Sequence, residues 1–198
     1  MHNFVFMSFC FCSCATQFKT LNPQKTNFSN GIFLEGISLR YKYNILRERG
    51  NTKYANKEEK KGVHIVAVKI LNNSNKEIQI GHSANFYINN SRVGLLDPSF
   101  VWKSLRQPSL IYSLYLFLVP AKRPPTIPKG DVLFQSFYIA GPGLALSNWF
   151  VAIKGNKQFL KEIKQYNLAG KIIRHGEEIS GMVYLVYTGY EPLTIRLE

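Results

Sequence analysis

Alternating and β-branched runs near both ends of the chain, separated by a long apolar middle broken by prolines, restrict the folds open to this sequence. Between Gly36 and Asn44 the residues Ile37, Leu39, Tyr41 and Tyr43 alternate with Ser38, Arg40 and Lys42, a period of two that sets one face of a strand on a core. Val63 to Leu71 is a nearly continuous β-branched run, closed by the turn cluster Asn72 to Asn75 and followed by a further strand, Lys76 to Ile80. Ala84 to Ile88 and Arg92 to Leu96, joined through Asn89, Asn90 and Ser91, predict a hairpin. Lys171 to Arg174, Ile179 to Tyr187 and Leu193 to Leu197 supply the closing strands. Short strands with polar turns at these intervals predict an antiparallel β-sandwich of two sheets.

The middle of the chain has a different pattern. Asp97-Pro98 opens a short helix over 99–107 with Pro98 in its first turn. Ser109 to Val119 is almost wholly apolar, Ala121 to Gly130 is a basic, proline-rich turn, and Val132 to Ile153 is apolar again with a break at Gly141-Pro142-Gly143. From Ser147 to Leu168 the pattern becomes helical, with Phe159, Ile163 and Tyr166 spaced as one helix face and Gly170 stopping it. The Lys/Arg/Glu-rich stretch Ile45 to Lys61 reads as an exposed loop or a short charged helix with a solvated face. The first apolar arm is too short to cross a bilayer, and the second carries Gln135, Ser136, Asn148 and the Gly-Pro-Gly break, so neither reads as a clean span.

Two placements of this insertion stand open. The arms form a hairpin that meets lipid, with Lys122, Arg123 and Lys129 on phosphate and Tyr112, Tyr115, Phe117, Tyr138 and Trp149 as interface anchors, or they fold over the sandwich as a second core.

All three cysteines, Cys10, Cys12 and Cys14, precede Ala15, so the rest of the chain can build neither a disulfide framework nor a cysteine zinc site. The run Phe4 to Cys12 is short, uncharged and apolar, and it is followed by small residues and a polar segment, the layout of a secretory signal. Its end resembles a bacterial lipobox, which implies acylation of Cys14. The match departs from the usual pattern in Phe11-Cys12-Ser13 and in a start, Met1-His2-Asn3, that lacks Lys or Arg. An apolar leader retained by a cytosolic protein is the alternative. The chain then divides into a signal over 1–14, a tether over 15–34 and a sandwich domain over 35–198 interrupted at about 98–168.

The formal charge of +13, from 25 Lys and Arg against 12 Asp and Glu, favours anionic partners. No helix-turn-helix, finger or RNP motif is present, so nucleic acid is not expected, and membrane lipid, an envelope protein or an anionic glycan fit better. His2, His64, His82 and His175 are scattered without ligand spacing, Glu177-Glu178 reads as turn charge, and Ser104, Ser109 and Ser113 lie near no base in sequence. No Walker loop, dinucleotide loop or nucleophile elbow occurs, and no metal, cofactor or catalytic residue is expected.

Gly62 to Asn72, Phe100 to Leu105, the Gly141-Pro142-Gly143 break, Asn156 to Leu160 and Gly189 to Leu197 together resemble an uncharacterised group of small lipoproteins of gram-negative bacteria, a likeness that runs over roughly residues 60–197. The resemblance implies a mainly β chain, an immunoglobulin-like sandwich interrupted by an apolar helical segment, anchored by lipid in the cell envelope. The basic surface and the apolar insertion point to a non-catalytic binding or structural module, with an envelope enzyme acting on an anionic polymer as the alternative and a cytosolic nucleic-acid binder as a third reading. No catalytic residue follows from the resemblance.

Overall fold

The structure, a computed structural model, describes residues 15–112 and 132–198. It divides into two compact units, one of Met1–Phe18 with Gln107–Lys157, the other of Lys19–Arg106 with Gln158–Glu198.

The second unit holds all the strands found among the described residues. A four-stranded sheet runs in the order β1 (Asn30–Leu34), β2 (Ile37–Lys42), β3 (Val63–Asn72), β8 (Glu178–Val186). A three-stranded sheet runs β6 (Ser91–Val93), β5 (Ala84–Ile88), β9 (Leu193–Leu197), and β4 (Ile78–Gln79) pairs with β7 (Ile172–Ile173). Each of these pairings is antiparallel. The β5–β6 hairpin turns at Asn89 and Asn90, with φ of 49° and 63°. Two successive positive φ values match the twist of the flanking strands, and asparagine tolerates them better than most residues.

Side-chain alternation along β3 explains the layering. Val66, Val68 and Ile70 join Ile37 and Leu39 of β2, Val183 and Leu185 of β8, and Phe86, Ile88 and Ile195 of the smaller sheet in one buried cluster. Val63, Ile65 and Ala67 are buried as well but lie outside that cluster, so β3 has apolar cover on both faces. The second cover comes from helices. Helix α1 (Ile45–Glu48) and α2 (Thr52–Lys61) bury Ile45, Leu46, Tyr54 and Ala55. Tyr54 meets Phe159 of α4 (Val132–Gln165) at 4.8 Å between ring centroids, and the Tyr184 hydroxyl of β8 donates to the Ile163 carbonyl at 2.5 Å. Each fully buried large apolar side chain contributes roughly 1.5–3 kcal/mol relative to exposure.

The expected antiparallel sheets are present, whereas the expectation of a mainly β chain holds only in part. Among the described residues helix and strand are present in comparable amounts, about 33% each. Two physical reasons account for the difference. The charged stretch 45–61 folds as two helices whose few apolar side chains all point inward, a pattern diluted in sequence by the lysines around it. The long helix α4, 34 residues, also continues through Gly141-Pro142-Gly143, where the sequence predicts a break. An internal proline removes one helix hydrogen bond, at about 3 kcal/mol, and long helical runs lie on both sides of this one. Helix α3 (Pro98–Leu105) follows expectation, with the Asp97 carboxylate accepting from the Ser99 N–H at 2.7 Å as its N-cap.

Candidate functional site

The first unit is organised by amide side chains that stand in for a neighbouring strand. Gln107 accepts from the Thr16 N–H at 3.1 Å and donates to the Thr16 carbonyl at 2.7 Å. Asn156, on α4, holds the backbone of Gln107 in the same way, at 2.7 Å and 2.8 Å. The Ala15 N–H donates to Asn148 Oδ1, also on α4, at 2.9 Å. A carboxamide offers a donor and an acceptor side by side, so one side chain satisfies both groups of a residue in irregular backbone. The chain directly after Cys14 is thereby fixed to α4.

Helix α4 carries an inverted pattern in this unit. Among its described side chains in this unit the buried ones are small or polar, with Ala145, Ala152 and Asn156 at 5%, 0% and 6% exposure. Three large apolar residues face outward instead, Leu146 at 40%, Phe150 at 60% and Ile153 at 40%. Spacings of four and three put these three on one line, and Lys157 continues that line one turn on, with Lys154 at its border. A surface helix in water normally shows the opposite arrangement. Ile111, in the short helical stretch 109–112, is exposed in the same unit.

In the second unit the strongest electrostatic feature is buried. Glu58 of α2 is 1% exposed and accepts from the Ile65 N–H at 2.7 Å. Burial raises its pKa from 4.5 to about 8, against the pull of that hydrogen bond. The His64 ring, also buried, has its Nδ1 4.0 Å from Glu58 Oε1, and that nitrogen has no hydrogen-bond partner among the described residues. Burial lowers the His64 pKa, partly offset by a hydrogen bond to the Tyr187 backbone. Tyr43 and Tyr190 pack edge-on against the imidazole at 6.2 Å and 5.3 Å between centroids, and the Tyr43 hydroxyl donates to the Glu191 carbonyl at 3.0 Å. A neutral carboxyl beside a neutral imidazole is the kind of pair that acid–base chemistry uses. Here both groups are closed off, and the clefts lined by Ser74, Lys76 and Leu197, and by His82, Asn85 and Arg92, contain neither of them.

A second polar centre lies at the end of β3. The fully buried Asn72 donates to the carbonyls of Lys76 (2.8 Å) and Ile173 (2.9 Å) and accepts from the N–H and hydroxyl of Ser74 (3.0 Å and 2.6 Å). His175 Nδ1 lies 2.6 Å from the Ser74 carbonyl, which gives that histidine a place in turn structure. Four hydrogen bonds satisfy the Asn72 amide, so its role is to fix the crossing from β3 to β4.

The residues singled out in the sequence are distributed as follows. Cys14, Tyr115, Phe117, Lys122, Arg123 and Lys129 lie outside the described residues. Tyr112 is buried, and Trp149 is half-buried with its ring 5.2 Å from that of Phe150. His64, His82 and His175 lie apart in strand and turns, and among the described residues no group of three or more His, Cys, Asp or Glu side chains is placed to hold a metal. Sequence reasoning missed Glu58, Asn51, Gln107, Asn156 and Glu162. Each acts on backbone, Asn51 on the N–H and carbonyl of Lys19 and Glu162 on the Leu21 N–H among them, and all but Glu58 reach backbone far away in the chain, so no local spacing marks them. The outward line Leu146, Phe150, Ile153 was open to a helical-period reading. No protein-family model, no curated protein and no solved structure matches this chain.

Proposed function

We propose that this chain is a non-catalytic, lipid-anchored protein of the bacterial cell envelope, a binding or structural module attached through acylated Cys14. The observation that carries this reading is the hydrogen bond from Ala15 to Asn148. It fixes the residue next to the acylation point on the same helix that turns Leu146, Phe150 and Ile153 to solvent. Acyl chains on Cys14 would hold this helix at a membrane, and each buried methylene adds about 0.8 kcal/mol to anchoring. The immunoglobulin-like arrangement of the sheets belongs to the same proposal, supported by the single core that β2, β3 and β8 share with β5 and β9. The closure of Glu58 and His64 supports a module without catalysis over an envelope enzyme.

Mass spectrometry of the N-terminal peptide from native cells tests the reading. The expected product begins at Cys14 with lipid on its sulfur and fractionates with membranes. Intact Met1 on soluble protein would overturn it.

A further inference from the structure

In the first unit helix α4 leaves Leu146, Phe150 and Ile153 in water while it buries Ala145 and Ala152, and this cost needs a compensating surface. We propose that the outward face of α4 formed by Leu146, Phe150 and Ile153, with Lys154 and Lys157 at its end, is a seat for an anionic lipid surface. The inference rests on the envelope reading above and names the surface through which the module meets its membrane.

Three observations select lipid as the occupant. First, the Ala15 to Asn148 hydrogen bond fixes the backbone next to Cys14 on this same helix, so an acylated chain would hold α4 close to a bilayer. Second, the apolar line ends in exposed lysines, and a helix lying in a bilayer interface places apolar side chains among acyl chains and lysines at phosphate. Third, the sequence from Pro98 to Lys161 carries Lys103, Arg106, Lys122, Arg123, Lys129, Lys154, Lys157 and Lys161 against one acid, Asp131. A protein partner with an acidic rim would satisfy the charge as well, but the anchor argues for the bilayer. Among the described residues no helix is long and apolar enough to cross a membrane, so the contact is interfacial.

The test uses the full chain with Cys14→Ser, which removes the anchor, and vesicles of phosphatidylcholine with or without phosphatidylglycerol. The Cys14→Ser protein is expected to co-float with the anionic vesicles. Combined Leu146→Ser, Phe150→Ser and Ile153→Ser should lower its partition at least tenfold, with circular dichroism reporting whether the fold is kept. Lys154→Gln with Lys157→Gln should lower partition to anionic vesicles about tenfold and leave that to neutral vesicles unchanged. Should the triple variant unfold, Trp102→Phe leaves Trp149 as the single indole, and brominated lipid should quench its emission. Folded Cys14→Ser protein that stays in solution, or an unquenched Trp149, overturns the seat. A dimer dissolved by Phe150→Ser, without vesicle binding, reassigns the face to a second copy and also overturns it. These results are independent of the N-terminal peptide: an unacylated Cys14 on a chain that binds vesicles refutes the anchor and leaves the seat.

Discussion

Glu58 is a carboxyl that folding brings away from water without an ion-pairing Lys or Arg among the described residues, so its protonation is linked to stability. Its folded pKa of about 8 lies above the ordinary 4.5, so the folded state holds the proton more tightly than the unfolded chain does. The stabilisation from this group is complete below 4.5 and is lost as pH rises through 8. His64 has the opposite sign, since burial lowers its pKa and protonation below its ordinary 6.5 costs stability. Urea midpoints of the native protein should therefore fall by a few kcal/mol equivalent between mildly acidic pH and pH 9, and Glu58→Gln, which can still accept from Ile65, should flatten that fall. An unchanged slope in the variant would show that Glu58 is ionised in the fold. Gly181 makes a different demand. A Cβ there would lie 2.5 Å from Leu168 Cγ and 2.6 Å from the Tyr166 carbonyl oxygen, because the chain leaving α4 crosses β8 at this point. The backbone bond from Met182 N–H to the Tyr166 carbonyl, 2.7 Å, holds the two segments together and leaves little room to retreat. Gly181→Ala should cost about 1–3 kcal/mol in denaturant unfolding, the usual range for overpacking.

The hairpin β5–β6 shows how far an element can be read from its residues. The run Asn89-Asn90-Ser91 between apolar strands states a turn, and the positive φ at both asparagines is the backbone form that such a turn requires. Asn90→Val should destabilise by about 1–2 kcal/mol, the steric cost of a left-handed β-branched residue, while Asn90→Gly should melt within a degree or two of the native protein or above it. Equal melting of the valine variant would mean the turn is not of this kind. The strand set and helix α3 were legible for the same reason: period, turn residues and caps are local signals. The pairing of β4 with β7, across the whole helical stretch, was not, because both strands are two residues long and gain their place from Asn72 and the loop around it. Helices α1 and α2 were half legible, since lysine-rich sequence hides the inward Leu46, Tyr54 and Ala55. In the candidate site, the aromatic Trp149 was marked by type, whereas the inverted face next to it depends on which side of α4 is covered, a tertiary fact that helical period alone does not state.

At the scale of the whole molecule, a net charge of +13 means that any anionic surface attracts this protein at low salt, so attraction alone identifies no partner. The chain differs from a polyanion binder in having apolar side chains exposed where the acids are fewest. Coulombic attraction weakens as screening shortens from about 10 Å at 0.1 M salt to about 3 Å at 1 M. Burial of Leu146, Phe150 and Ile153 does not depend on screening in that way. Binding of the Cys14→Ser protein to anionic vesicles should accordingly fall between these salt concentrations to a plateau above zero. Its binding to a nucleic acid or an acidic glycan should fall to nothing with the steep logarithmic slope of counterion release. Sedimentation of the same protein with each polyanion across a salt series measures both. Complete release from vesicles at 1 M salt would assign the association to charge alone and leave the outward apolar line of α4 without a part in it.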